Sequence, residues 1–204
     1  MTELLLPNAA LRTLLLAVEE VMGDKGISAM LNAAGLQRFV GNYPPDNMND
    51  EVPISDYAAI IQAIEDFYGP RGAKAFLLRI GRASFDYTIQ EQPALIGLAG
   101  VALKLLPLPL KVKTTLGNVA RGMTESLHEP CRLEDAGDAY LIIKEECGTC
   151  HGRTAERPMC HTTTGALQQA LKWATGKEFD IVETECRAAG AATCTWRISK
   201  EPRD

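Results

Sequence analysis

Residues 131–143 read CRLEDAGDAYLII, and here the chain changes texture. Cys131 to Glu134 and Ala139 to Ile143 are short runs separated by Ala136-Gly137-Asp138, where glycine supplies the unusual backbone angles of a tight turn. The run therefore predicts two strands paired as a hairpin. Downstream, Leu167, Ala170, Leu171 and Ala174 recur at helical spacing beside Trp173 until Gly176 ends the helix. Phe179 to Cys186 and Thr193 to Ile198 then make a second strand pair around Gly190. This C-terminal part is a β-β-α-β-β unit with an antiparallel sheet.

Upstream of Glu129-Pro130 the period is helical. Leu11, Leu14, Leu15, Val18, Val21 and Met22 form one helix face that starts near Pro7-Asn8 and stops at Gly23, and a short helix follows from Asp24 to Asn32. Asn42 to Pro53, rich in Asn, Asp and Pro, reads as loop. A second stripe, Tyr57, Ile60, Ile61, Ile64, Phe67 and Tyr68, is entered through Ser55 as N-cap and closed by Gly69-Pro70. Helical spacing continues from Ala73 to about Gln90, and two further helices are expected between Ala94 and Leu127, parted by Pro107-Leu108-Pro109. The fold class is α+β, with a helical region over 1–128 packed on an α+β region over 129–204 as one compact unit.

With 204 residues, 46% of them hydrophobic, the chain can bury a sizeable core. A formal charge of −5 disfavours nucleic acid or anionic membrane as partner, because either needs a basic face. The most apolar stretch, Ala94 to Leu110, is interrupted by Lys104, Pro107 and Pro109 and falls short of the roughly 20 residues that span a bilayer. The N-terminal residues lack the pattern of a signal peptide, so a cytoplasmic location is expected.

The six cysteines carry the chemistry: none precedes Cys131, and Cys147, Cys150, Cys160, Cys186 and Cys194 crowd into the last third. A reducing compartment argues against a disulfide framework, and the crowding argues for ligands. Cys147-Gly-Thr-Cys150 forms one knuckle, and Cys186 with Cys194 forms another across the turn at Gly190; spacing alone favours the first. Cys147, Cys150 and His151 also spell C-x-x-C-H, the c-type haem attachment pattern. That motif is open to haem, to a redox dithiol, to a second metal and to a structural pair.

The stretch Arg153 to His161, the helix after it, and Glu183-Thr-Glu-Cys186 through Gly190 to Cys194 resemble the 4-vinyl reductase domain, also called the hydrocarbon-binding domain. The resemblance is strongest from Tyr140 to Ile198. It implies a fold like the small subunits of the vesicle-tethering trafficking complex, a homodimer, a pocket for an apolar small molecule, and a zinc site. Carried over residue by residue, the zinc ligands fall on Cys160, Glu183, Cys186 and Cys194. Glu183 and Cys186 lie three apart and would face opposite sides of a regular strand, so the strand must bend between them. Three thiolates and a carboxylate on a dication leave a charge of about −2, to be offset by Arg153, His161 or Arg187.

No nucleophile elbow, P-loop or G-x-G-x-x-G run is present, so the name reductase is a poor guide. The expectation is a non-catalytic, sensory or accessory protein binding a hydrocarbon, an aromatic compound or a tetrapyrrole-like ligand beside a structural zinc site. Phe76, Ile80, Phe85, Leu98, Tyr140 and Trp173 are the expected pocket residues. The alternative is a redox or haem protein built on Cys147, Cys150 and His151.

Overall fold

The structure is a computed structural model describing residues 3–91, 103 and 105–203. Its first element is β1 (Leu5–Pro7), which runs directly into α1 (Asn8–Ala33). Leu11, Leu14, Leu15 and Val18 on α1 are fully buried, as the stripe predicts, and Gly23 breaks the helix with φ of 74°. α2 (Ile54–Glu91) supplies the opposing stripe, Ile60, Ile61, Ile64, Leu77 and Ile80, and is likewise interrupted at Gly69-Pro70.

Two local readings differ from the sequence expectation. Within the expected loop, β2 (Asp50–Pro53) pairs antiparallel with β1, Leu6 opposite Val52. Strands this short, with proline at an end, carry no alternation to read. Nor does Ser55 cap α2, which begins one residue earlier; the Ser55 backbone N–H donates instead to the Glu3 carboxylate at 3.2 Å.

The second core surrounds a four-stranded antiparallel sheet of β3 (Cys131–Asp135), β4 (Ala139–Lys144), β5 (Phe179–Glu185) and β6 (Cys194–Pro202), in the order β3-β4-β6-β5. Against it pack α3 (Leu108–Ser126), through Val112, Leu116 and Ala120, and α4 (His161–Thr175), through Leu167 and Leu171. Register places Ile142, Trp196 and Glu183 in one row across the sheet, and Lys144 beside Cys194 two rows further on. Trp196 is wholly buried, and its indole N–H donates to Thr164 Oγ1 at 2.9 Å, which satisfies the ring and ties α4 to the sheet. The α+β class and the antiparallel sheet follow the sequence reading. The first of the two helices expected between Ala94 and Leu127 lies outside the described residues. No described helix is long and apolar enough to cross a membrane.

The helical half joins this unit where α2 crosses α4. A Cβ on Gly81 would sit 2.0 Å from the Thr162 carbonyl oxygen, and one on Gly165 would sit 2.2 Å from that of Leu78. Neither carbonyl is a flexible tip, so the two backbones can touch only because both side chains are absent. Gly81→Ala should therefore cost at least the roughly 1–3 kcal/mol typical of overpacking, read as a lower midpoint in urea unfolding. An unchanged midpoint would show that α4 can move away freely.

Candidate metal centre and adjoining cavity

The sheet, a turn and a helix terminus bring five cysteines to one place. Cys147 and Cys150 sit on the turn that leaves β4, where the Cys150 N–H donates to the Cys147 carbonyl at 3.2 Å. Cys160 is the N-cap of α4, where the helix dipole favours a thiolate. Cys186 follows β5, and its carbonyl accepts from Ala189 and Ala191 to close the turn that leads to Cys194 on β6. All five are buried, while Cys131 is half-buried on β3.

The sulfur spacings have the dimensions of a metal polyhedron. Cys150 and Cys194 are 3.5 Å apart, Cys147 and Cys160 3.7 Å, Cys160 and Cys186 3.7 Å, and Cys160 and Cys194 3.9 Å. A tetrahedron of sulfurs about 2.3 Å from zinc has an edge of about 3.8 Å, whereas a disulfide needs about 2.05 Å. Two quartets with every ligand atom within 4.8 Å of the others result: Cys147, Cys150, Cys160, Cys194; and Cys160, Glu183, Cys186, Cys194. The second is the set that the family resemblance implies.

Glu183 reaches its quartet because the β5 ladder slips between Glu183 and Glu185, supplying the bend that the three-residue spacing requires. Its Oε2 accepts the Cys160 N–H at 2.7 Å, and its Oε1 is buried without a hydrogen-bond partner among the described residues. Burial, aided by the Cys186 thiolate, pushes the Glu183 carboxyl up to about 8. Hydrogen bonds from neighbouring thiols hold Cys147 and Cys186 well below the ordinary thiol range, while bonding to Cys147 above all drives Cys150, Cys160 and Cys194 upward. Without a cation the cluster can ionise only in part; a dication held by these residues would remove that limit and could give the orphaned oxygen a partner. The donor set fits zinc.

The residues expected to offset the charge do different things. The Arg187 backbone N–H points at Cys194 Sγ at 3.4 Å, while its guanidinium pairs with Glu146. Arg153 forms a buried ion pair with Glu65 of α2 and donates to the Thr149 carbonyl, bracing the Cys147–Cys150 turn against the helical half. Burial lowers His161 to about 4, so its ring is neutral at pH 7. His151 belongs to neither quartet, and the Cys147 and Cys150 sulfurs turn inward onto Cys160 and Cys194.

Beside the cluster lies a cavity of about 600 Å³, bounded by β1, α1, α2, α3, α4 and the same turn. α3 presents Thr115, Asn118, Val119 and Gly122 to it, the helix flank next to its sheet-facing stripe. Phe85 and Trp173 stand on the wall with ring centroids 6.3 Å apart. Phe76 packs on Tyr68, with ring centroids 4.5 Å apart, and Ile80 enters the α1–α2 core, while the adjacent Gly81 lines the cavity. Tyr140 lies in the sheet core under the Lys200 ammonium. Leu98 is outside the described residues.

The polar part of the wall was not anticipated. Lys144, 2% exposed, bonds Glu129 at 2.5 Å, and the other Glu129 oxygen accepts the Gly148 N–H. Burial raises the Glu129 carboxyl, with the Lys144 charge opposing. Ser84 Oγ and Thr115 Oγ1 are buried and unpartnered among the described residues. One signal was legible: Lys144 ends an apolar strand in register with Cys194, so its charge needed a buried partner.

Residues 142–200 match the family model of the 4-vinyl reductase domain. The chain thus carries a 4-vinyl reductase-like domain over that segment. No curated protein matches the sequence. Over nearly the whole chain the fold is similar to an H-NOX protein from S. oneidensis in the Fe(II)NO ligation state (TM-score 0.57, 12% identity, 95% of this chain and 99% of that one). It is also similar to an Fe(II) unliganded H-NOX mutant from K. algicida (TM-score 0.59, 13% identity, 95% and 96%). A third match is an oxygen-binding H-NOX domain related to soluble guanylate cyclases (TM-score 0.52, 14% identity, 93% of each). At these identities the likeness is one of fold.

Breaking the buried pair on the cavity wall should be expensive. Lys144→Met leaves Glu129 without its counter-ion and is expected to cost about 3–5 kcal/mol in urea unfolding, while adding Glu129→Gln should recover most of it. Equal loss in the single and double variants would show that Lys144 acts through its packing alone.

Proposed function

We propose that this protein is a non-catalytic binder of an apolar small molecule, with a sensory or accessory role, whose 4-vinyl reductase-like segment is stapled by zinc on Cys160, Glu183, Cys186 and Cys194. The observation that carries the reading is the cavity of about 600 Å³, within the range of small-molecule sites. Its wall is largely apolar, and two hydroxyls without partners among the described residues, Ser84 and Thr115, suit a ligand with one hydrogen-bonding end, such as a phenol. A closed four-ligand zinc site holds sheet and helix together and leaves no open position for a reacting water. A homodimer, implied by the family resemblance, and a cytoplasmic setting complete the proposal; light scattering tests the first.

Haem is the second reading, favoured by the fold likeness to structures determined to probe haem distortion in the H-NOX family. The lining residues fit it poorly. No described lining residue is a histidine or cysteine, and the axial donor types there are Met48, Met123 and Tyr57. Burial, with the Glu129 charge, raises the Tyr57 phenol far above the range in which it would ionise to bind iron. Haemin titration separates the readings: a Soret band that saturates at one equivalent would favour haem.

The leading proposal is tested with 4-alkylphenols by calorimetry. Each added methylene should tighten binding about fourfold, the equivalent of about 0.8 kcal/mol of buried CH₂, until the cavity is full. Gly122 borders the cavity, and a Cβ placed there meets nothing within 4 Å, so Gly122→Phe should occupy the space, leave the fold intact and weaken binding at least tenfold. Binding that ignores chain length, or survives Gly122→Phe unchanged, would overturn the assignment of this cavity.

A further inference from the structure

The two quartets share two sulfurs, Cys160 and Cys194, and differ in the other two ligands. Each has its own reason to hold a cation. Cys147 and Cys150 are carried on a closed C-x-x-C turn, both buried, with Cys147 3.7 Å from Cys160 and Cys150 3.5 Å from Cys194, the edges of a tetrahedral thiolate site. Glu183, on the other side, holds a buried Oε1 that has no partner among the described residues, and an ion on the four-cysteine quartet leaves it so. An ion on the Glu183 quartet instead leaves Cys147 and Cys150 pressed against metal-bound thiolates. One ion serves one quartet only.

We propose that both quartets are filled together, forming a binuclear zinc cluster in which Cys160 and Cys194 each bridge the two ions. Cys147 and Cys150 complete one tetrahedron, and Glu183 and Cys186 complete the other. Two tetrahedra that share an edge require the shared ligands to be one edge apart, and the Cys160–Cys194 separation is 3.9 Å. Assembly forms metal–sulfur bonds to five thiolates and a metal–oxygen bond to one carboxylate; the thiol protons leave to solvent, and nothing is oxidised or reduced. Five thiolates and one carboxylate around two dications carry a net charge of about −2, the same as one ion on the Glu183 quartet alone, so the second ion adds no electrostatic burden. Both bridging sulfurs have positive surroundings: Cys160 caps α4, and Cys194 receives the Arg187 N–H at 3.4 Å.

This inference rests on the metal half of the proposed function, and the experiment separates the two. Protein expressed in zinc-supplemented medium and freed of loosely held metal should contain two zinc ions per chain by elemental analysis. The double variants Cys147→Ser/Cys150→Ser and Glu183→Gln/Cys186→Ser should each retain one, whereas Cys160→Ser or Cys194→Ser should retain less than one. Because a variant can fail to fold, the wild-type protein is also loaded with ¹¹³Cd. Two cadmium resonances, split by coupling to each other through the shared sulfurs, are expected. One ion per chain in the wild-type protein would overturn the binuclear cluster and leave the structural zinc standing. Two uncoupled resonances would overturn the bridge, and no bound metal would overturn both.

Discussion

Where α2 crosses α4 the two backbones meet without intervening side chains, Gly81 against Thr162 and Gly165 against Leu78. Much of the site depends on that approach. It presses the N-terminal turn of α4, with Cys160 at its cap, against α2 and toward the part of the sheet where Cys194 of β6 and Glu183 of β5 lie. It also sets Gly81, Thr162 and Thr163 side by side on the cavity wall. A helix pair held at an ordinary 8–10 Å would leave a layer of side chains there, and the cap would sit farther from the sulfurs of β6.

The turn from Cys147 to Cys150 serves two neighbours at once. Its two cysteines face the cluster through their sulfurs, and Gly148 and Thr149 between them face the cavity. Gly148 donates to Glu129, and Thr149 Oγ1 lies within hydrogen-bonding distance of the hydroxyls of Thr162 and Thr163 at the start of α4. Arg153 then fixes the same turn to Glu65 and Gln62 of α2. Metal centre and cavity are two faces of one short segment, and the C-x-x-C-H spelling acquires a structural reason that does not involve His151.

Much of the architecture was legible because each element announces itself locally. The stripe at Leu11, Leu14, Leu15 and Val18, the interruptions at Gly23 and Gly69-Pro70, and the hairpins around Gly137 and Gly190 needed no tertiary knowledge. The β1–β2 pairing was not legible, since it joins residues about 45 positions apart through strands too short for a pattern. The cavity was harder still. An apolar helical residue does not declare which neighbour it faces, so Phe85 lines the cavity while Ile80 lies in the other core. Thr115 and Ser84 are ordinary in sequence and become unusual only when burial removes their water. The cysteines show the same limit. Spacing pointed to Cys147 and Cys150, and family pattern pointed to Cys160, Glu183, Cys186 and Cys194. Only the distances reveal that these are adjoining parts of one cluster.

The shared turn has a thermodynamic consequence for whatever enters the cavity. A loop of small residues such as Gly148 and Thr149 would ordinarily sample many conformations, and a ligand would have to freeze them, a cost of about 1–2 kcal/mol for each backbone residue ordered. In the proposed binuclear cluster its flanking sulfurs would be tied to a cation, and the turn would be ordered before a ligand arrives. The metal would then act at a distance on affinity: without contact with the guest, it would remove an entropic penalty from its binding.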